Sequence, residues 1–531
     1  MTSSAPDTLP RPVPGPAWLQ TLALVLAGAI ILMIPALIHG RPFHFVDFNQ
    51  YYLIGEAILE KLLGGPAAPD GPPAVPADAP APGQSPAPGN AGGDGYFSLI
   101  GAGRSPLYSV FGYVLASGLS MWLICLVQAL LASWLIVRAL DLLGGLRRPG
   151  PVLASLAGLA ALSPLGFHVN LLMPDVFAGY MVIAILLLAF APRLSLPETL
   201  FLAALVSASA FLHKSMLVLA LAALALMVLA RFWQWSRPYF ARLAPFWLLG
   251  ALALSMAAQA VYGFAAEKLT GDPLRSPPYL MARIYDDGPG QRHLEQACRA
   301  DPDAYALCAF TGFEYATHND LIWGSNLSAN TPSFISSPPD LRQAMLDEQG
   351  HFVLKSVTAY PLTQLLATTG NTIRQFFLVS IDEINYGAVL ILQQYTADDP
   401  QALAHTPGFA HCLAEPDSCT EENAYNRAWN SLVTAAALAS LILLLCLLGV
   451  WTLFRITPSG ASMASQDRYL CLAWTLLLIL LANAFICGAT SGVHARYQAR
   501  LVWLVPLCLI VLQDPVRVLA DRLQARYRRF A

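Results

Sequence analysis

Asp47, Asp175, His213, Lys214, His494, Arg496 and Arg500 are strongly polar residues in a chain that is 56% hydrophobic and only 12% charged. Hydropathy puts each of them at a turn on the same side of a succession of apolar runs. An ionisable group at membrane depth costs about 2.5–3.5 kcal/mol on insertion scales, so a set of them converging on one face is expected to serve a site. Carboxylates there can take protons from hydroxyl groups, and fixed cations can hold a phosphate or a carboxylate.

Asp47 follows the first apolar run by about nine residues, within His44-Phe-Val-Asp47-Phe-Asn-Gln-Tyr51-Tyr52, and its aromatic neighbours suit a membrane interface. Two roles fit it: a general base, worth about 10²–10⁴-fold in rate, and the N-cap of a helix running to Leu63. Asp175 sits behind Pro174 at the tip of a helical hairpin, a position that suits both a site carboxylate and an ordinary helix start. His213-Lys214-Ser215 interrupts the apolar stretch 197–232. The arm before it, roughly 16 residues or about 24 Å against a hydrocarbon core of about 30 Å, draws Lys214 inward to an anionic partner or leaves it to snorkel. Arg496 and Arg500, spaced i, i+4 in Gly492-Val-His494-Ala-Arg496-Tyr-Gln-Ala-Arg500, share a helix face and can fork around a phosphate or simply hold a lipid headgroup.

The elements that must position these residues are apolar helices. Runs at roughly 17–38, 118–140, 150–164, 175–191, 197–212, 215–232, 245–263, 428–454, 469–488 and 500–513 predict an all-α polytopic membrane protein of about ten spans, with both ends on one side. The face bearing Arg138, Arg147, Arg148, Arg193, Arg231, Arg455 and the basic tail holds most of the Lys and Arg of the short segments, which makes it cytoplasmic. Three parts follow: a transmembrane module over 1–263 with a first outer loop at 39–117, a large extracytoplasmic segment at 264–427, and C-terminal spans with a basic tail over 428–531. Within the first loop, the Pro/Ala/Gly tract 64–95 cannot bury a core and is expected to be disordered. The run 107–140 is too long for one simple span, so residues 105–117 are read as a helix on the membrane surface, ending near Gly118. Residues 351–377 are amphipathic and are read as interfacial helices broken at Pro361 and Gly370.

Four of the nine cysteines lie in the large outer segment. Cys298 with Cys308 and Cys412 with Cys419 are spaced like small disulfide-closed loops, which persist in an oxidising exterior such as a bacterial periplasm; free thiols are the alternative. A net charge of -3 with scattered basic residues gives no nucleic-acid footprint. No Walker loop, dinucleotide Gly-rich turn, Gly-x-Ser-x-Gly elbow or His-Glu-x-x-His motif occurs, so nucleotide- or soluble-cofactor-dependent chemistry has little support.

The chain resembles the GT-C superfamily of polyprenyl-phosphate-sugar-dependent glycosyltransferases, in the branch of aminoarabinose transferases and protein O-mannosyltransferases. The resemblance rests on Asp47 soon after the first span, on Ser105-Pro106-Leu107-Tyr108 ahead of the second, on Met173-Pro174-Asp175 in the next outer loop and on the large outer segment after span seven. It implies a multi-pass enzyme of a bacterial inner membrane, both termini cytoplasmic and the active site facing the periplasm. Asp47 and Asp175 are then the catalytic carboxylates, and His44, Tyr51, Arg104, His213, Lys214, His494, Arg496 and Arg500 bind substrate. The donor is a polyprenyl-phosphate sugar, the acceptor a glycan, lipid or protein, and no resident cofactor is implied; assistance by a divalent metal is left open. Two other readings compete: an O-antigen-ligase-like or polysaccharide-polymerase enzyme relying on late Arg and His residues, and a lipid-linked-sugar transporter, which would need repeated halves or broken midplane helices that the sequence does not display.

Overall fold

The structure, a computed structural model, describes residues 17–45, 47–63, 104–118, 120–232, 237–270, 273–324, 331–384, 424–455 and 466–530. Among them the regular structure is helical, apart from an isolated parallel bridge between Phe43 and Leu171. The tract 64–95 and the pair Cys412 and Cys419 lie outside the described residues.

Among the described residues six helices are long and apolar enough to cross a membrane: Trp18–His39, Met121–Leu142, Lys214–Phe232, Ala244–Lys268, Arg427–Arg455 and Asp467–Thr490. A seventh is available if Ala495–Val511 and Gln513–Ala525, bent by 58°, form one broken span. The chain is on this evidence a multi-pass membrane protein. Three further runs that hydropathy reads as spans fold into helices of 14, 15 and 17 residues: Pro149–Leu162, Val176–Phe190 and Leu196–Leu212. Their ends are set locally. Ser163-Pro164 stops the first, and Ser195 starts the third through a capping box with Glu198, the Ser195 N–H donating to Glu198 Oε2 at 3.0 Å. Val176–Phe190 is apolar all round because protein, not lipid, surrounds it along almost its whole length.

Two helices carry the loop after the first span, Asp47–Leu63 and Pro106–Gly118. The second ends before Ser120, whose side chain caps Met121–Leu142. The two loop helices pack so closely that a Cβ on Gly55 would come within 2.2 Å of the Ser109 carbonyl oxygen. Gly55→Ala is therefore expected to prise them apart, at a cost of about 1–3 kcal/mol; a thermal unfolding midpoint in detergent equal to the parent's would contradict this packing.

Between the spans Ala244–Lys268 and Arg427–Arg455 lies a polar-surfaced unit, the outer segment of the sequence reading, with its own apolar core, in which Met281, Leu294, Leu307, Phe310, Phe334, Met345 and Phe352 are buried. Cys298 and Cys308 are bridged within it. The amphipathic stretch breaks at Tyr360-Pro361 into Pro339–Ala359 and Pro361–Phe377, but the second helix runs straight through Gly370, which corrects the break expected there. A single Gly inside a helix costs only about 1 kcal/mol, and packing against Asp467–Thr490 overrides it. Helix Pro361–Phe377 turns Gln364 and Gln375 inward while Leu362, Leu365, Leu366 and Ile373 face out, an arrangement that suits lipid on its outer side.

Candidate active site

Backbone pairing holds the first outer loop against the hairpin tip that carries Asp175. The Phe43 N–H donates to the Asn170 carbonyl at 2.9 Å and the Leu172 N–H to the Phe43 carbonyl at 3.0 Å. The Asn170 side chain in turn donates to the Leu32 carbonyl of the first span at 2.8 Å. Asp47 opens its helix from this anchored strand-like segment, so its carboxylate starts the outer cluster.

Arg104 donates to Asp47 Oδ1 at 2.6 Å and, one turn along, to Gln50 Oε1 at 3.0 Å. The guanidinium of Arg496 stands 3.7 Å from the other Asp47 oxygen and lies over the Phe45 ring at 4.1 Å. Behind it is Glu383, with an oxygen 3.9 Å from Arg496 Nε. Glu383 also accepts the Ala495 N–H at 2.9 Å, satisfying a free donor at the start of helix Ala495–Val502 where a negative charge is favoured. Tyr51, buried under Arg104, meets Tyr108 edge to face.

Four residues further along the same helix, Arg500 forms an inner cluster. It is fully buried, 3.4 Å from Asp175, and donates to Ser215 at 3.1 Å and Asn483 at 3.3 Å. Ser215 Oγ is 2.8 Å from His213 Nδ1. Three carboxylates, Asp47, Asp175 and Glu383, thus face three guanidiniums, Arg104, Arg496 and Arg500.

The histidine of the last turn links this core to the outer unit. His494 Nδ1 is 3.5 Å from Glu383, and Gln375 clamps its backbone, donating to the His494 carbonyl at 2.8 Å and accepting its N–H at 2.9 Å. His318 meets the His494 ring edge on and stands 3.5 Å from Asp286. Asp287 beside it is held by Arg283, Gln364 and Asn371. Among the described residues no group of three or more His, Cys, Asp and Glu has the arrangement of a metal cage.

Burial alone would raise the Glu383 pKa, but the hydrogen bond and charge of His494 and the charge of Arg496 hold it below its ordinary value of 4.5. Asp286 is likewise lowered from 3.8, its burial outweighed by His318 and Arg283. A carboxylate depressed on folding contributes stability that is present above its unfolded pKa and lost as pH falls through the folded one. Docking of the outer unit is therefore expected to hold above about pH 4.5 and to loosen below about pH 4. Protease sensitivity of the 273–384 region that stays flat from pH 7 to pH 3 would contradict this.

Nine of the ten residues the sequence singles out are buried or half-buried. Asp47, Arg104, Arg496 and Tyr51 come together, as do Asp175, His213 and Arg500, with His494 at the outer rim. Arg496 and Arg500 share a face but do not fork around one anion, because each reaches a different carboxylate. Lys214 stands apart: it is exposed, and its ammonium donates to Ser276 of the outer segment. His44 turns to the Pro42 carbonyl and the Phe48 ring. Glu383, Asp286, His318 and Gln375 escape sequence reasoning. The acidic pair in Ile381-Asp382-Glu383-Ile384, straight after an amphipathic helix, is the local signal that could have drawn attention to Glu383.

No family model, no curated protein and no solved structure matches this chain.

Proposed function

We propose that the chain is a membrane glycosyltransferase of the GT-C type, moving a sugar from a polyprenyl-phosphate donor to an extracytoplasmic acceptor with inversion at the anomeric carbon. On this reading the three short apolar helices and the bent last pair are membrane passes, ten in all. Both termini are cytoplasmic, and the clusters open to the periplasm of a bacterial inner membrane. The observation that carries the reading is the meeting of Asp47 with Arg104 and Arg496, which brings a carboxylate and two cations from far-apart parts of the chain into one cluster. Asp47 accepts the proton of the acceptor hydroxyl as its oxygen attacks. The guanidiniums meet the negative charge that develops on the departing phosphate, where fixed cations in a poorly hydrated site are most effective. Aromatic residues around Asp47 seat the site at headgroup level.

Proteoliposomes carrying the protein should convert a polyprenyl-phosphate sugar to the free polyprenyl phosphate in the presence of an acceptor, and the product should show the opposite anomeric configuration by NMR. Retained configuration would overturn the direct-attack mechanism. A second reading, an O-antigen-ligase-like enzyme, draws on His494 and Arg496 in the last turn, which both meet Glu383. It differs in making Asp47 dispensable.

A further inference from the structure

Two histidines from distant parts of the chain border one gap. His318, on helix His318–Trp323 of the outer unit, and His494, in the last turn, pack ring against ring with centroids 6.2 Å apart. Gly492 lies between them, and a Cβ there would stand 2.5 Å from His318 Nε2 and 2.7 Å from His494 Nε2. Both Nε2 atoms therefore face the space that the missing side chain leaves clear. The other nitrogen of each ring is turned to a carboxylate: His318 Nδ1 is 3.5 Å from Asp286 and His494 Nδ1 is 3.5 Å from Glu383. A carboxylate at Nδ1 keeps the ring hydrogen there and leaves Nε2 as a lone pair, the arrangement found behind metal-ligating histidines. Asn319, next to His318, holds its side-chain amide 3.5 Å from His494 Nε2. A half-turn of that amide exchanges two atoms of similar size and brings its oxygen to the same gap. The two carboxylates already have cations of their own, Arg283 at 3.2 Å from Asp286 and Arg496 at 3.9 Å from Glu383. Protonating both rings would thus aim two like charges at one point, whereas a single electron-pair acceptor satisfies both nitrogens.

We propose that His318 Nε2, His494 Nε2 and the side-chain oxygen of Asn319 bind one divalent transition-metal ion of the zinc class. Imidazole nitrogens select such ions over Mg²⁺ and Ca²⁺, which take oxygen ligands. Three protein donors leave the fourth tetrahedral position to water. The His494 side chain is 29% exposed, which gives the ion a way in. Asp286 and Glu383 orient the two ligand rings, and Gly492 keeps the place of the ion open. The ion clamps the outer unit to the turn that carries Arg496. It takes no part in glycosyl transfer, and the site does not depend on that reading.

The full-length protein in nanodiscs, freed of bound metal and of any polyhistidine tag, can be titrated with Zn²⁺ against a chromophoric chelator, with Mg²⁺ alongside. The parent should bind one Zn²⁺ far more tightly than Mg²⁺. Asp286→Asn keeps all three ligands and loses a carboxylate behind one ring, so it should weaken zinc binding about tenfold or more. His318→Gln, which loses a ligand, should weaken it further. Gly492→Ala removes no ligand and should abolish binding, because its Cβ takes the space of the ion. Limited proteolysis reads the clamp directly: Zn²⁺ should slow cleavage within 273–384 in the parent and leave Gly492→Ala unchanged. A parent that binds Zn²⁺ no better than Mg²⁺, or zinc affinity that survives both His318→Gln and Gly492→Ala, would overturn the site. If those variants fail to fold, the parent alone decides, since equal cleavage with zinc and with a chelator would overturn the clamp.

Discussion

Asp47→Asn is expected to lower transfer by about 10²-fold or more while the protein still folds. Asparagine matches aspartate in size and caps helices about as well, so the start of helix Asp47–Leu63 should survive. What is lost is basicity, together with the charge that Arg104 and Arg496 face. Arg104 constrains the mechanism, because it occupies one Asp47 oxygen at 2.6 Å, leaving less of the carboxylate free to meet a hydroxyl. An arriving phosphate that draws Arg104 and Arg496 to itself would open both Asp47 oxygens to the acceptor, which ties engagement of the acceptor to occupancy by the donor. Arg104→Gln should accordingly weaken donor binding and still leave Asp47 to act. A folded Asp47→Asn protein with near-parental transfer would rule out the base and move preference to the ligase-like reading.

Arg500→Met is expected to destabilise the fold by about 3–5 kcal/mol, because it strands the Asp175 carboxylate in a place where its side chain is only 6% exposed. The desolvated charge, rather than the lost attraction, dominates that cost. Pairing the change with Asp175→Asn removes the stranded charge and should recover much of the stability. Thermal denaturation of the two single variants and the double variant in detergent measures this. A single Arg500→Met variant that melts with the parent would show that Asp175 has another way of satisfying its charge.

The long spans were legible because about 20 consecutive apolar residues can satisfy their backbone in lipid only as a helix. The three short helices were legible as apolar and less so as to surroundings, since a segment buried in protein and one bathed in lipid look alike in hydropathy; Val176–Phe190 is the case in point. Clustering was readable in part: Asp47, Asp175, His213, Arg496 and Arg500, expected at turns on one face, lie in connected groups of side chains. Hydropathy carries no information on direction around the helix axis, however. Lys214 and Ser215 are neighbours in sequence, yet Ser215 faces Arg500 and Lys214 faces Ser276. Glu383 was invisible for a related reason, because its role depends on the docking of an outer unit against the last hairpin, which only tertiary packing determines. The continuous helix through Gly370 makes the same point in reverse, since a weak local preference yielded to a long packed interface.

Mass spectrometry of cell-envelope glycans and lipids, from cells with the parent protein, without it and with Asp47→Asn in its place, tests glycosyl transfer most directly. The expected result is a sugar-sized mass increment on one envelope component that is present with the parent and lost in both other samples. Identical envelope profiles in all three, with the protein present and folded, would contradict it.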